Sequence, residues 1–393
     1  MSVAGVVQFL PTVERILFGE GCVAAHLREE VARLGGRRPL LVTTPSLHRS
    51  SGPLAEALAA LGPDLAAVFP GCREHVPLGS VLAAARAANE AGADLVITLG
   101  GGSVIDTGKA LRACLAAGLT SERELADFLR SAPPLTAPLL PQIAIPTTLS
   151  GAEYTRSFSA TDLVAQEKLS YVHSATAPKV LLYDPRMTLA TPPRLWLSSG
   201  VMALTHAIEV MLATEPHPVG DVLKAESIRG LCRHLPRTRD APEDLTARLH
   251  CQLSAWLADH SPLRATPLQP RPAFLLCHSL AYDLASLHRV PYGLSACVTL
   301  PAALRWYGAR PGAMERQGSL AAALGIEGRS SPEEVAAAVE GFIAGLGLPT
   351  RLRDVGVPRE ALPELARRLR QRALGASVEA AEVELLLSLE NAW

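Results

Sequence analysis

Apolar and polar positions change their spacing along the chain, and the first half alternates between two patterns. Short apolar runs, typical of buried strands, occupy residues 38–43, 65–69, 94–99, 142–145 and 180–183. Amphipathic stretches with helical spacing lie between them, for example at residues 54–61 and 78–91. Strands that alternate with helices in this way predict a parallel sheet with helices on its faces.

The second half of the chain has a different pattern. Helical periodicity dominates from about residue 192, in residues 197–213, 220–234, 245–260, 274–287, 314–324, 331–344 and 359–370. The proline-rich stretch 262–272 predicts a loop. The predicted fold class is therefore α/β plus all-α, with a Rossmann-like parallel-sheet domain at residues 1–190 and a helical domain at residues 191–393.

Composition and charge narrow the class of protein. A length of 393 residues suits two domains, and a formal net charge of −1 without a long basic run argues against a nucleic-acid partner. The apolar runs are too short to span a membrane, and no basic segment precedes an apolar one at the N-terminus. Seven scattered cysteines without a CxxC pair indicate free thiols. We therefore expect a cytoplasmic protein that acts on a small molecule.

Residues 99–109 (LGGGSVIDTGK) form the strongest local motif. The strand at 94–99 leads into three glycines and Ser103, and then into a helix. Glycines let the backbone approach a phosphate closely, and a helix N-terminus offers free N–H groups. The motif differs from GxGxxG, so a standard Rossmann site is not implied. Because it follows a predicted strand, where open α/β sheets bind ligands, it predicts a phosphate site.

A second motif, residues 145–153 (IPTTLSGAE), follows the strand at 142–145. The hydroxyl groups of Thr147, Thr148 and Ser150 are able to bind a phosphate or a ribose, although an ordinary Ser/Thr-rich loop is the alternative for this segment alone. Together the two motifs support a ligand site more strongly than either does alone, because both follow buried strands of the same predicted sheet.

Five motifs, taken in order, resemble those of the iron-containing (group III) alcohol dehydrogenases. Residues 100–109 are similar to a GGGSxxDxxK signature, and residues 146–153 to a PTT…GSE segment that is one residue longer in most members. Further matches follow at residues 177–189, 199–209 (SGVMALTHAIE) and 276–293 (LCHSLAYDLASLHRVPYG). The resemblance implies an α/β dinucleotide-binding domain followed by a helical domain, as in dehydroquinate synthase, and a homodimer.

The resemblance also implies a nicotinamide cofactor, NAD(P)H. The residues implied to bind it are Gly101, Gly102 and Ser103 at the pyrophosphate, Asp106 near the nicotinamide, Thr147, Thr148 and Ser150 along the cofactor, and Lys168 at the ribose. A solvated loop charge is the alternative for Lys168. Many relatives carry an Asp after the first strand of the domain, where this chain has Thr44. Since a carboxylate repels a 2′-phosphate and Thr44 does not, we expect weak discrimination between NADH and NADPH, or a preference for NADPH.

The resemblance implies a metal site made of one Asp and three His. Two of these four positions carry other residues in this chain. The matching residues are Met202, His206, His278 and Tyr292. A thioether and a neutral phenol are poor ligands for Fe²⁺ or Zn²⁺, and two imidazoles alone rarely hold a divalent ion. Asp283 and His288 are possible substitutes, but their helical phase differs. A bound metal is therefore not expected.

Without a metal, a general acid has to protonate the reduced substrate. The candidates are His206, His278, Tyr282 and Tyr292. Tyr282 occupies the position of a family histidine credited with proton relay. The alternative for the two histidines is a partly buried, hydrogen-bonded pair without a catalytic role.

Maleylacetate reductases are the branch of the family that this chain resembles most. They have an altered Asp position, and the segments at 69–77 and 146–153 look similar, although these enzymes generally keep the histidine that is Tyr292 here. We expect a metal-independent NAD(P)H-dependent oxidoreductase that transfers hydride to or from a carbonyl or activated alkene. The alternatives are a metal-dependent alcohol dehydrogenase or aldehyde reductase, and a nicotinamide-binding protein without redox turnover.

Overall fold

The structure is a computed structural model that describes residues 13–49, 52–213, 218–259, 275–309, 313–328, 330–375, 388–390 and 392–393. The predicted loop at 262–272 lies outside these residues. The chain divides into two compact units, one of Pro11–Pro192 with Glu243–Gln252, and one that contains Pro193–Pro242 and Leu253–Trp393.

The first unit is built on a parallel sheet. Its strands are β1 (Arg15–Phe18), β2 (Pro39–Val42), β3 (Ala67–Phe69), β4 (Leu95–Gly100), β5 (Gln142–Pro146), β6 (Ser157–Asp162), β7 (Glu167–Val172) and β8 (Val180–Tyr183). Six of them form one sheet in the order β1-β8-β5-β4-β2-β3, and all five neighbouring pairs are parallel. β6 and β7 pair with each other as a separate antiparallel hairpin.

Six helices accompany these strands. They are α1 (Cys22–Arg33), α2 (Pro45–Arg49), α3 (Pro53–Leu61), α4 (Leu78–Glu90), α5 (Gly102–Ala117) and α6 (Glu122–Ser131). Successive residues of β2 point to opposite faces: Leu40 and Val42 pack in a core with α4, α5 and α6, and Leu41 packs in a core with α1 and α3. Both faces of the sheet are buried, so its strands read as continuous apolar runs in the sequence.

The strand order reverses direction between β2 and β4. The chain runs from β2 outward to β3 and returns to β4 on the other side of β2. Loops diverge at the carboxyl edge of the sheet at such a reversal, and open α/β sheets bind ligands there. Thr44, Gly101 and Thr147 follow the adjacent strands β2, β4 and β5, so three predicted cofactor residues lie along this edge.

The remaining helices are α7 (Pro193–Ala213), α8 (Pro218–Asp240), α9 (Leu245–Asp259), α10 (Leu276–His288), α11 (Tyr292–Gly308), α12 (Ala313–Leu324), α13 (Pro332–Gly345) and α14 (Leu362–Gly375). α7 packs against α8 and α11, and α11 also contacts α10 and α13. Within the described ranges, Pro193–Leu212 is the one stretch long and apolar enough to cross a membrane, and 89% of its apolar window is buried in the fold, as in a core helix.

Some elements differ from the sequence-based expectation. The pattern predicts no helix at Tyr292–Gly308, but α11 lies there. Nearly all of its residues are buried, so no polar face marks a helical period. The pattern also misses β1 and the β6–β7 hairpin, whose strands are short or partly exposed. The helix predicted at 359–370 begins as a 3₁₀ turn at Arg359–Ala361, and α14 follows it.

Candidate functional site

The loop between β4 and α5 leaves the first turn of a helix open to a ligand. Gly101 is the N-cap residue of α5, with φ −81° and ψ −170°, and no side chain caps the helix. The N–H groups at the start of a helix have no intrahelical partner, and the helix dipole favours an anion near them. Ser103 is the second residue of α5, and its carbonyl oxygen accepts from Thr107 Oγ1 at 2.7 Å. The hydroxyl of Ser103 therefore lies on the turn where an anion would bind.

Gly101 and Gly102 face the loop after β5 at contact distance. A Cβ added to Gly101 would lie 3.0 Å from Thr148 Cγ2, and one added to Gly102 would lie 2.8 Å from Ser150 Oγ. A side chain at either position would therefore press against these hydroxyl side chains, which approach the helix closely. Thr148 Oγ1 donates to Ser150 Oγ at 3.2 Å. With Ser103, the structure brings five of the predicted cofactor residues together around one helix N-terminus.

Two further predicted residues lie at the ends of the strands beside β4. The N–H of buried Thr147 donates to Gly100 O at 3.0 Å, and its carbonyl accepts from Thr191 Oγ1 at 2.8 Å. Thr44 Oγ1 accepts from Leu47 N–H at 3.2 Å, which is the bond of a helix N-cap. Thr147 is thereby fixed by its backbone, whereas Thr44 holds the start of α2.

A buried lysine fastens the loop after Ser150 to α5. Lys109 Nζ donates to the carbonyl oxygens of Ala152, Thr155 and Ser157 at 2.6, 2.9 and 2.8 Å. Burial lowers the pKa of Lys109 to about 8. An ammonium group has three N–H donors, and all of them are used here within the protein. Lys109 therefore supports the site and does not itself reach a ligand.

Asp106 and Lys168 form an electrostatic cluster with Lys109. Asp106 lies one turn into α5, where its Oδ2 accepts from Ser159 N–H at 3.2 Å and its Oδ1 is 3.7 Å from Lys109 Nζ. Burial raises the pKa of Asp106, and the charges of Lys109 and Lys168 oppose that rise. Lys168 lies on β7, opposite Thr161 of β6. Lys168, which is predicted to bind the cofactor, therefore lies on a hairpin that the sequence pattern does not predict.

A second buried carboxyl group lies on the same loop. Glu153 is 2% exposed, and Tyr183 OH donates to its Oε1 at 3.0 Å. Burial raises the pKa of Glu153 to about 7. The sequence pattern predicts no role for either residue, although Glu153 ends the second motif.

In the helical unit, α7 and α10 bring two predicted histidines together. Met202 and His206 lie one turn apart on α7 and share a face, and both are buried. The imidazole rings of His206 and His278 have centroids 4.7 Å apart and planes 22° apart. The expected proximity of these two residues is therefore present in the structure.

The two predicted tyrosines also contact each other. The rings of Tyr282 and Tyr292 are in a T-shaped arrangement with centroids 6.2 Å apart. Tyr282 lies one turn after His278 on α10, and Tyr292 is the first residue of α11. α11 approaches α7 closely at this point, because a Cβ added to Gly293 would lie 2.8 Å from backbone atoms of Ser198.

A carboxylate lies beside His278, and the sequence pattern does not mark it as functional. Glu209 of α7 is fully buried, and its Oε2 is 2.6 Å from His278 Nδ1. Its Oε1 accepts from Cys277 N–H at 2.8 Å and from Tyr307 OH at 3.1 Å. The signal available in the sequence is one acidic residue in an apolar helix, three positions after His206.

The donors at the expected metal positions do not fit Fe²⁺ or Zn²⁺. Met202 offers a thioether and Tyr292 a phenol where a carboxylate and an imidazole would be needed. Asp283, the possible substitute, is 1% exposed and is bound by Arg372 at 2.5 and 2.7 Å. His288 is the last residue of α10. No group of three or more His, Cys, Asp or Glu that could hold a metal ion occurs in the part of the chain that the structure describes.

Comparisons with known proteins identify the family of this chain. A family model described as iron-containing alcohol dehydrogenase matches residues 13–185, and one described as the Fe-containing alcohol dehydrogenase family, C-terminal, matches residues 196–388. Maleylacetate reductase of Burkholderia cepacia is 32% identical over 359 residues, which cover 91% of this chain and 89% of that protein. Lactaldehyde reductase of Escherichia coli is 30% identical, with 97% of this chain and 98% of that protein covered.

A solved structure extends the likeness to the fold. The crystal structure of maleylacetate reductase from Agrobacterium tumefaciens has a TM-score of 0.78 and 28% identity, and the match covers 99% of both chains. The family and the fold class predicted from the sequence are confirmed. The chain is an oxidoreductase that belongs to the iron-containing alcohol dehydrogenase family and is similar to its maleylacetate reductases.

Proposed function

We propose that this chain is an NAD(P)H-dependent reductase of the maleylacetate reductase type that acts on a carbonyl or activated alkene without a bound metal. The observation that carries the proposal is a contrast within one chain. The loop at Gly101 and Gly102 has an uncapped helix N-terminus and no side chains, which suits an anion. The expected metal site lacks two of its four ligands, because Met202 and Tyr292 replace them.

The residues of the first unit fit a dinucleotide. Gly101 and Gly102 present a helix N-terminus that an added Cβ would obstruct, and pyrophosphate binds such a turn in other nucleotide sites. The hydroxyl groups of Ser103, Thr148 and Ser150 surround the same turn and are able to donate to phosphate oxygens. Asp106, Thr147 and Lys168 complete the proposed binding residues.

Thr44 leaves room for either dinucleotide. It lies after β2, at the carboxyl edge of the sheet, and carries no charge. A ribose 2′-phosphate would therefore meet no repulsion from this side chain. We expect the enzyme to use NADPH at least as well as NADH.

The helical unit would supply the proton. The bound nicotinamide supplies a hydride, which with one proton reduces one double bond of the substrate. His278 is the first candidate for the proton donor, because its buried Nε2 has no hydrogen-bond partner among the described residues. Tyr282 and Tyr292 are further candidates, and the ring of His206 packs against that of His278.

The test is oxidation of NADH and NADPH by the purified protein with maleylacetate and a panel of small aldehydes, before and after treatment with a chelator. We expect turnover of maleylacetate to survive chelation, because Met202 and Tyr292 replace two of the four expected ligands. The metal content of the treated protein is measured on the same sample, so that retained activity is assigned to metal-free enzyme.

Variants make the test specific for the helical site. His278→Gln is expected to lower kcat by about 10²- to 10⁴-fold, the range for loss of a general acid, with little change in cofactor affinity. His26→Gln is the matched control, because His26 lies on α1 with 43% of its side chain exposed. Equal kcat values for the two variants would remove His278 from the mechanism.

The other outcomes identify the alternatives. Activity that is lost on chelation and restored by Fe²⁺ or Zn²⁺ would indicate a metal-dependent alcohol dehydrogenase or aldehyde reductase. Tight nicotinamide binding without hydride transfer to any substrate would indicate a binding protein without turnover. A homodimer and a cytoplasmic location stay predictions, and sedimentation of the purified protein tests the first.

A further inference from the structure

Helix α10, which carries His278, begins without a cap of its own. Its N-cap residue, Leu275, makes no side-chain capping bond. The first N–H groups of a helix need acceptors from elsewhere when they are buried. Here Leu276 N–H donates to Tyr307 OH at 3.1 Å, and Cys277 N–H and His278 N–H donate to Glu209 at 2.8 and 3.4 Å. The start of α10 is therefore capped by side chains of α7 and α11.

Glu209 is buried only because donors surround it. Its side chain has no exposed area, and an isolated buried carboxylate would be strongly unfavourable. Four groups donate to or face its oxygens: Cys277 N–H, His278 N–H, Tyr307 OH and the imidazole Nδ1 of His278. Two of these are backbone N–H groups, which can only donate.

The hydrogen-bond pattern assigns the proton on the imidazole. Tyr307 OH accepts from Leu276 N–H, so its own hydrogen is directed to Glu209 Oε1. Three fixed donors on one carboxyl group suit the ionised, acceptor-only form. The remaining contact, Glu209 Oε2 to His278 Nδ1 at 2.6 Å, is then an N–H···O⁻ bond donated by Nδ1.

We propose that Glu209 is a positioning residue that keeps the proton of His278 on Nδ1 and directs Nε2 to the substrate. Nδ1 carries a hydrogen whether His278 is neutral or protonated, so every proton that the ring gains or loses passes through Nε2. The proton that would pass to a substrate oxygen or carbon is the one that Nε2 carries in the imidazolium form, and Nε2 is buried without a partner in the described protein. The inference rests on the proposed function only for the identity of that partner.

The proton position is measured directly in the wild-type protein. Nitrogen NMR of protein with ¹⁵N-labelled histidine distinguishes an imidazole protonated at Nδ1 from one protonated at Nε2. The sequence has 11 histidines, and the signal lost in His278→Gln assigns the residue. We expect the Nδ1–H form in the wild type. A neutral imidazole protonated at Nε2 alone would overturn the proposal without any variant of Glu209, whereas a ring protonated on both nitrogens agrees with it.

Glu209→Gln separates positioning from capping. The amide oxygen is able to accept from Cys277 N–H as the carboxylate does, but the amide group faces Nδ1 as a donor. We expect the proton of His278 to move to Nε2, and kcat to fall by about 10- to 100-fold, the range for loss of an orienting partner, with KM for the cofactor unchanged.

Tyr307→Phe is the matched control. It removes the acceptor for Leu276 N–H and one donor to Glu209, but it leaves the contact with His278 Nδ1 in place. We expect a lower unfolding temperature, with the Nδ1–H form and kcat retained. If both variants lower kcat equally, or if Glu209→Gln leaves the proton on Nδ1 and kcat unchanged, Glu209 is only a cap and the proposal fails.

Failure of the proposed function is distinguishable from failure of this inference. A wild-type protein that reduces no substrate would contradict the reductase assignment, and the NMR signals of the wild type and of Glu209→Gln would still decide where the imidazole proton resides.

Discussion

Gly102→Ala tests the proposed cofactor loop with the smallest possible change. The added Cβ would lie 2.8 Å from Ser150 Oγ and 3.3 Å from Ser150 Cβ. The first distance is too short, so the hydroxyl of Ser150 has to rotate away. That rotation breaks the bond that Ser150 Oγ accepts from Thr148 Oγ1 at 3.2 Å. The methyl group then occupies the space through which a phosphate would reach the first turn of α5.

The effects on stability and on affinity differ in size. Loss of one neutral hydrogen bond costs about 1 kcal/mol, and Ala in place of Gly in a helix gains about 0.5–1 kcal/mol. The free energy of unfolding should thus change little. A hydrogen bond to a charged group contributes about 1.5–3 kcal/mol, so loss of one phosphate contact should raise the Kd for NAD(P)H by about 10- to 150-fold.

The assay is titration of the protein with NADH and NADPH, followed by ligand fluorescence, together with urea unfolding of the same samples. Gly341→Ala is the matched control. Gly341 lies within α13, and a Cβ added there meets no atom within 4 Å. The control should gain about 1 kcal/mol of stability from the same change in helix propensity, without any change in cofactor affinity.

Two results would contradict the proposal that a phosphate binds at this turn. An unchanged Kd in Gly102→Ala would show that no phosphate approaches this turn. Equal losses of affinity in Gly102→Ala and Gly341→Ala would show that the effect is not local. If affinity falls in Gly102→Ala alone, the loss is assigned to the turn at Gly102.

Three further predictions concern Thr44, Glu153 and the expected metal positions. Thr44→Asp should raise the NADH to NADPH ratio of kcat/KM about tenfold or more by repelling the 2′-phosphate, and a wild type that already strongly prefers NADH would contradict this. Burial raises the pKa of Glu153 from 4.5 to about 7, so the folded state holds the extra proton and stability falls as pH rises through that window. Urea unfolding at several pH values should show a loss of about 3 kcal/mol that Glu153→Gln removes. Met202→Asp with Tyr292→His should retain Zn²⁺ or Fe²⁺ through dialysis, and equal metal content in the wild type would contradict the ligand argument.

The parts of the fold that the sequence could predict are those with a regular period or a continuous apolar run. The run at residues 94–99 is β4, because a strand buried on both faces has no polar positions. β1 shows no such pattern, since Arg15–Phe18 lies at the sheet edge with its terminal residues exposed. The sequence pattern does not reveal α11 either, because this helix is buried on almost every side and has no polar face.

The residues of the candidate site also differ in whether the sequence could predict them. Gly101, Gly102 and Ser150 could be predicted because glycine and hydroxyl residues after a strand have a local meaning. Glu209 could not be assigned a role, since its partners Cys277 and Tyr307 lie 68 and 98 residues away. Lys109 ends the first motif, but its use of all donors within the loop depends on packing that no spacing reveals.

The cap at Thr44 has a consequence for how such enzymes change over time. Its hydroxyl accepts from Leu47 N–H at the start of α2, and aspartate serves that purpose at least as well as threonine. An exchange between the two residues would keep the helix start intact and alter only the charge presented at the edge of the sheet. If Thr44 lies beside the 2′-position of the cofactor as proposed, a lineage would be able to switch its preferred reductant at this position without compensating substitutions elsewhere.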